Sequence, residues 1–133
     1  MNKLYIILPC YNEIEVLPHA SKLLLAKIRK LISDGAIDKD SKLVFVNDGS
    51  KDLTWDKIKE LHELNKEVIG INLAANRGQQ YALIAGIEYA AKYADMIVTM
   101  DVDLQDDINA IDKMIEKYKQ GVDIVFGVRD KRD

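Results

Sequence analysis

Residues Met96–Asp107 read MIVTMDVDLQDD, an apolar run that breaks into a row of carboxylates. The segment Asp95–Asp101 (DMIVTMD) has the length and composition of a strand buried on both faces. Asp101, Asp103, Asp106 and Asp107 crowd its end. Neighbouring carboxylates repel one another, so the cluster calls for a positive partner, either a helix N-terminus or a metal ion. Four further runs share the strand character: Leu4–Pro9 (LYIILP), Lys42–Asp48 (KLVFVND), Val68–Leu73 (VIGINL) and Val122–Val128 (VDIVFGV). Between them lie segments with helical spacing. Leu17, Leu24, Ile28 and Leu31 form one apolar stripe, and Trp55, Ile58, Leu61 and Leu64 a second. Ala82, Ala85, Gly86 and Tyr89 make a third, and Ile111, Met114, Ile115 and Tyr118 a fourth. Strand and helix alternating at crossover length specify an open, mostly parallel, Rossmann-like α/β sheet with helices on both faces.

Bulk properties agree with one such domain. The chain has 133 residues, 48% of them hydrophobic and 31% charged. A net charge of −3, with both signs mixed along the chain, gives no electrostatic footprint for nucleic acid. Cys10 is the only cysteine, which excludes a disulfide framework and a cysteine metal cluster. The first apolar run is too short for a signal peptide or a membrane span, so the expected location of the chain as given is the cytoplasm.

In open parallel sheets ligands bind beyond the carboxyl ends of the strands, and the unusual polar residues fall there. Pro9-Cys10-Tyr11-Asn12-Glu13 follows the first strand, Asn47-Asp48-Gly49-Ser50 the second and Ala75-Asn76-Arg77-Gly78-Gln79 the third. Asp101-Val102-Asp103-Leu104-Gln105 follows the fourth, and Gly127-Val128-Arg129 closes the fifth. The opposite edge holds ordinary turn formers such as Ser33-Asp34-Gly35 and Gln120-Gly121.

Asp106 and Asp107 suit caps of a helix starting beside them. Asp101 and Asp103 come too early for that, and a strand end spaces them to face the same way. With the amide oxygen of Gln105 they make a hard-oxygen set for Mg²⁺ or Mn²⁺ that also holds substrate phosphates. Asn47-Asp48-Gly49-Ser50 reads as a β-turn into a helix capped by Ser50 or Asp52. Placed opposite Asn12-Glu13, it also offers a carboxylate to a nucleobase or ribose. Asn76-Arg77-Gly78-Gln79 reads equally as a helix cap at Asn76 or as a cation with free backbone N–H groups for a pyrophosphate. Arg129, Lys131 and Arg132 are either a solvated tail or, for Arg129, a phosphate contact. His19, His62, Trp55 and Cys10 read as structural.

Taken together, Ile7-Leu8-Pro9-Cys10-Tyr11-Asn12-Glu13, Val46-Asn47-Asp48-Gly49-Ser50 with Asp52, Asn76-Arg77-Gly78-Gln79-Gln80 with Ala82-Leu83, and Met100-Asp101-Val102-Asp103-Leu104-Gln105-Asp106 resemble family 2 glycosyltransferases, in the family's order and from Leu4 to about Arg132. The D-x-D-L-Q form and the ending with Gly127, Arg129 and Arg132 resemble the polyprenyl-phosphate branch, which includes dolichol-phosphate mannose synthases and bactoprenol glucosyltransferases. The resemblance implies a GT-A fold, a UDP- or GDP-sugar donor and Mg²⁺ or Mn²⁺. It places the nucleoside on Pro9, Tyr11, Glu13 and Asp48, and the strand-end segments add Asn12, Asn76, Arg77 and Gly78 to the expected nucleotide-binding set. It places the metal on Asp101, Asp103 and Gln105, and makes Asp101, Asp103 and Arg129 the catalytic set. Two departures stand out: Val102 where alanine is usual, and Asp107 in place of a common proline.

The family's catalytic domain continues well past Arg132, so residues 1–133 correspond to the nucleotide-sugar-binding part, with the acceptor half absent. The expected activity is inverting transfer to a polyprenyl phosphate, the parent protein working at the cytoplasmic face of the membrane. The alternatives are transfer to a sugar hydroxyl in polysaccharide synthesis, or a nucleotide-binding fragment without transferase activity. Apolar surface left uncovered on the acceptor side would favour a homodimer. A signalling receiver domain, similar in size and fold class, is excluded: the third strand leads into Leu73-Ala74-Ala75-Asn76 with no acceptor aspartate, and Arg129 stands where a lysine belongs.

Overall fold

A computed structural model describes residues 2–103 and 108–119. The expected fifth strand (Val122–Val128), Gln105, Asp106, Asp107, Gly127, Arg129, Lys131 and Arg132 lie outside these residues. The elements run β1 (Leu4–Cys10), α1 (Leu17–Ser33), β2 (Lys42–Asn47), α2 (Thr54–Leu64), β3 (Val68–Asn72), α3 (Gln79–Ala90), β4 (Met96–Thr99) and α4 (Ala110–Lys119). The four described strands form one sheet in the order β3-β2-β1-β4, and every pairing is parallel.

Alternation along β1 sorts the core onto two faces. Leu4, Ile6, Leu8 and Cys10 join Leu43 and Phe45 of β2 under α1, α2 and α4, where Leu24, Ile28, Ile58 and Ile111 complete the larger core. Tyr5 and Ile7 join Val44 and Val46 under α3, meeting Ala82 and Ala90. Each fully buried aliphatic side chain contributes about 1.5–3 kcal/mol. The wide core therefore dominates, and α3 closes the thinner one. Its approach is unusually close: a Cβ at Gly86 would collide with Cγ2 of Ile7 and stand 3.1 Å from Cγ2 of Val46. Only glycine permits that contact.

The connections explain the two faces. α1 and α2 carry the chain from β1 outward to β2 and β3 and share one face. α3 carries it back past β1 to β4, and a right-handed crossover in the reverse direction lands on the other face. The order reverses between β1 and β4, which opens a crevice at their carboxyl ends.

Four expectations are corrected. β3 is not buried on both faces: Val68 is buried while Ile69, Gly70 and Ile71 are half-buried, because β3 lies at the outer end of the order. Leu64 is 73% exposed, since it ends α2 beyond the reach of the sheet. β4 stops at Thr99 rather than Asp101. α4 starts at Ala110, later than the acids expected to cap it.

Candidate functional site

The loops after β1 and β2 are stitched together by side chains at the start of α2. Ser50 Oγ accepts the Asn12 N–H at 2.9 Å, and Asn12 Oδ1 accepts the Lys51 N–H at 2.8 Å. Asn12 holds φ at 52°, a left-handed conformation that asparagine tolerates better than most residues. Thr54 Oγ1 accepts the Glu13 N–H at 2.9 Å, and Asp52 Oδ2 accepts the Ile14 N–H at 3.4 Å. Asp52 Oδ1 also accepts the Thr54 N–H at 2.9 Å and its hydroxyl at 2.5 Å. Burial pushes the Asp52 carboxyl up, but the hydrogen bonds from Thr54 and Ile14 outweigh it and hold the group below the ordinary carboxylate range.

Asp48 ties the second loop to the third. Its carboxylate is buried and accepts the Arg77 N–H at 2.7 Å, the Gly78 N–H at 3.0 Å and Asn76 Nδ2 at 3.1 Å. Asn76 Nδ2 also reaches the Asp48 carbonyl at 3.1 Å. Between these loops sits Gly49 at φ 63°, where a Cβ would strike the backbone of Ala75 and Asn76. The Asp-Gly pair is therefore a docking surface for the chain entering α3. This corrects the expectation of free N–H groups at Arg77 and Gly78, since both donate to Asp48.

Past Thr99, where β4 ends, the Met100 N–H still bonds to β1, donating to the Ile7 carbonyl at 3.0 Å, and Val102 and Asp103 lie in a turn. The two-residue alternation of a strand therefore does not aim Asp101 and Asp103. The turn does so instead, and both line one cleft with Val102 between them. The cleft, about 380 Å³, is walled by Pro9, Tyr11, Glu13, Asp48, Asn76, Gly78, Gln79 and the 101–103 turn. That is a size suited to a small ligand. Burial, then the charges of Asp103, Asp101 and Asp52, push the Glu13 carboxyl above its ordinary value. Acids from three loops thus share one partly desolvated space, a setting that a cation would relieve.

Among the described residues no group of three or more His, Cys, Asp or Glu side chains is arranged to hold a metal by itself. Two carboxylates nonetheless fit Mg²⁺ or Mn²⁺, because hard cations that carry substrate phosphates take only one or two protein carboxylates. The donor chemistry of Asp101 and Asp103 therefore fits the implied metal, with Gln105 outside the described residues.

The sequence profile described as "Glycosyl transferase family 2" matches residues 5–133. The chain belongs to glycosyl transferase family 2. One member, from Bacillus subtilis (strain 168) and named "Uncharacterized glycosyltransferase YkoT", is 45% identical over 129 residues, covering 97% of this chain and 38% of its own length. Another, the "Prophage bactoprenol glucosyl transferase homolog" of Escherichia coli (strain K12), is 35% identical over 130 residues, covering 98% of this chain and 40% of its own. The chain thus spans about two fifths of the length of these curated relatives. A solved mannosyltransferase, PcManGT from Pyrobaculum calidifontis in complex with GDP-Man and Mn²⁺, superposes with a TM-score of 0.58 at 20% identity, covering 77% of this chain and 28% of that one. That likeness concerns the fold, which is of the GT-A type.

For this family 2 domain, then, the cleft gathers Pro9, Tyr11, Glu13, Asp48, Asn76, Gly78, Asp101 and Asp103. Asn12 sits beside it with its side chain turned to Lys51. Arg77 is exposed. Gln105 and Arg129 lie outside the described residues. Cys10 is buried, and burial raises its thiol pKa far enough to make it inert. His62 Nδ1 contacts the Val68 carbonyl at 2.7 Å, a structural role as expected. Sequence reasoning gave no site role to Gln79 or to the stitching by Ser50 and Thr54. These are small polar residues whose partners lie 22, 38 and 41 residues away. Among the described residues no helix is long and apolar enough to cross a membrane.

Proposed function

We propose that this chain is the nucleotide-sugar-binding part of an inverting glycosyltransferase whose acceptor is a polyprenyl phosphate. The observation that carries the reading is the meeting of Glu13, Asp48, Asp101 and Asp103 around one cleft at the reversal point of the sheet. Family membership supports sugar transfer. The bactoprenol glucosyltransferase name of the Escherichia coli relative supports the lipid acceptor. The GDP-mannose and Mn²⁺ of the Pyrobaculum enzyme support a nucleotide sugar and a divalent cation.

In this reading Pro9, Tyr11 and Glu13 flank the nucleoside. The Tyr11 ring, 43% exposed, is available for stacking on a base. Asp48 shapes the floor between them and the Asn76–Gly78 loop. Asp101 and Asp103, with Gln105, would hold Mg²⁺ or Mn²⁺, which when bound supplies positive charge to the departing diphosphate. Arg129 is assigned to the same diphosphate, together with the cation-bearing loop at Arg77. Attack from the face opposite the leaving group inverts the anomeric carbon. A lipid phosphate is already ionised and needs no strong base, whereas a sugar hydroxyl would require a carboxylate to accept its proton.

Calorimetric titration of UDP and GDP, with and without Mn²⁺, tests the reading in the parent and in Asp103→Ala. Asp103 is exposed, so its loss should spare folding. Binding should require the metal and should vanish in the variant. Equal, metal-independent binding by both proteins would overturn the assignment.

A further inference from the structure

Gln79 is the first residue of α3, and its Nε2 donates to Oδ1 of Asp101 at 3.1 Å. Both residues line the cleft, although they leave the sheet on different strands. The placement of Gln79 has a cause. Asp48 accepts the backbone N–H groups of the two residues before it, Arg77 and Gly78, which pins the start of α3 against the end of β2. Gln79 then reaches across to the turn after β4. Three loops are thereby joined in series, from Asp48 through the α3 N-terminus to Asp101.

The chemical type of the link matters. An amide donor can orient a carboxylate without neutralising it. A lysine or arginine there would cancel the charge of Asp101 and compete with a cation for the same oxygens. The amide attracts Asp101 Oδ1 where the charges of Glu13 and Asp103 repel it. We propose that Gln79 is a positioning residue that holds Asp101 in its cleft-facing orientation and so sets the affinity of the acidic pair for a divalent cation. This rests on the reading of Asp101 and Asp103 as metal ligands.

Two measurements on the 133-residue chain test it. The first is free of metal: the Gln79 side-chain amide is followed by ¹⁵N NMR in the parent and in Asp101→Ala. A resonance displaced from the solvent-exposed position in the parent and returning to it in the variant is expected. A resonance unchanged by Asp101→Ala overturns the proposal. The second titrates Mn²⁺ in the presence of GDP or UDP. Gln79→Ala should weaken Mn²⁺ binding by about 10- to 100-fold, the range for hydrogen-bond partners of metal ligands. In an Asp101→Ala background the Gln79→Ala change should cost nothing more. Additive losses would mean that Gln79 acts on the ligand directly, and would also overturn it. A parent chain that takes up no Mn²⁺ overturns the functional reading instead, and the NMR arm alone then decides whether Gln79 holds Asp101.

Discussion

Arg77 donates its backbone N–H to Oδ1 of Asp48 at 2.7 Å, across 29 residues of chain. With Gly78 and Asn76 on the same carboxylate, this contact makes Asp48 a fastener for the start of α3 as well as a wall of the cleft.

Replacing that carboxylate should therefore cost stability before any ligand is added. Asp48→Ala strips a buried charged acceptor from part-buried donors, a change worth about 1–3 kcal/mol. Asp48→Asn keeps the shape but presents an amide donor to N–H groups, and should fall between the parent and Asp48→Ala. Urea denaturation measures both. A loss within about 0.5 kcal/mol, the level of an ordinary surface substitution, would show that the α3 start is held by other contacts.

Glu13 should withdraw, as pH rises to neutral, a contribution to stability that is present in acid. Burial first, then Asp103, Asp101 and Asp52, raise its folded pKa. The folded state thus binds the proton more tightly than the unfolded chain does. Its contribution is fully present below the unfolded value of about 4.3 and is lost as pH rises through the folded pKa. Glu13→Gln should accordingly exceed the parent in Tm at neutral pH and match it near pH ~4. Mg²⁺ with a nucleoside diphosphate should narrow the neutral gap. A constant offset at all pH values would assign the effect to packing alone.

The pair at the opposite edge of the sheet has the opposite sign. Arg29 grips the buried Glu67 with Nε at 2.9 Å and Nη2 at 3.1 Å, and its Nη2 also reaches Asn65 at 2.8 Å. The hydrogen bond from Arg29 lowers the Glu67 pKa, so this stability is present above about pH 4.3 and is lost as pH falls through the folded value. Arg29→Met should cost about 1.5–3 kcal/mol at neutral pH, as for a hydrogen bond to a charged group. The deficit should shrink on acidification, which denaturation at two pH values would reveal.

Gly86→Ala should be destabilising even though alanine favours helices. The new methyl meets Ile7 and Val46 of the two central strands, and overpacking of this kind costs about 1–3 kcal/mol. Chemical denaturation would check it. A gain in stability would mean that α3 can move away from the sheet at little cost.

Much of this was legible before any coordinates. The β-branched runs placed β1 and β2 to within a residue, because central strands are buried on both faces and carry no polar interruption. The stripe Leu17, Leu24, Ile28 and Leu31 is buried as its spacing requires. The bounds of β3 are legible to within a residue as well, but its half-burial and the early end of β4 are not. Position in the sheet order decides how much of a strand is covered, and order is not written in the local pattern. The gathering of acids on one edge followed from strand ends alone.

By itself the sequence determined the fold class, the edge that carries the site and the family, since all three depend on local periodicity and on residue types at strand ends. Only the tertiary structure decided what each polar residue does there. It turned Asp48 from an open carboxylate into an anchor for Arg77 and Gly78, took Asn12 toward Lys51, and brought Gln79 to Asp101. A hydrogen bond depends on distance and angle between groups that are far apart in the chain. Such pairings exist only once the sheet has put its loops side by side.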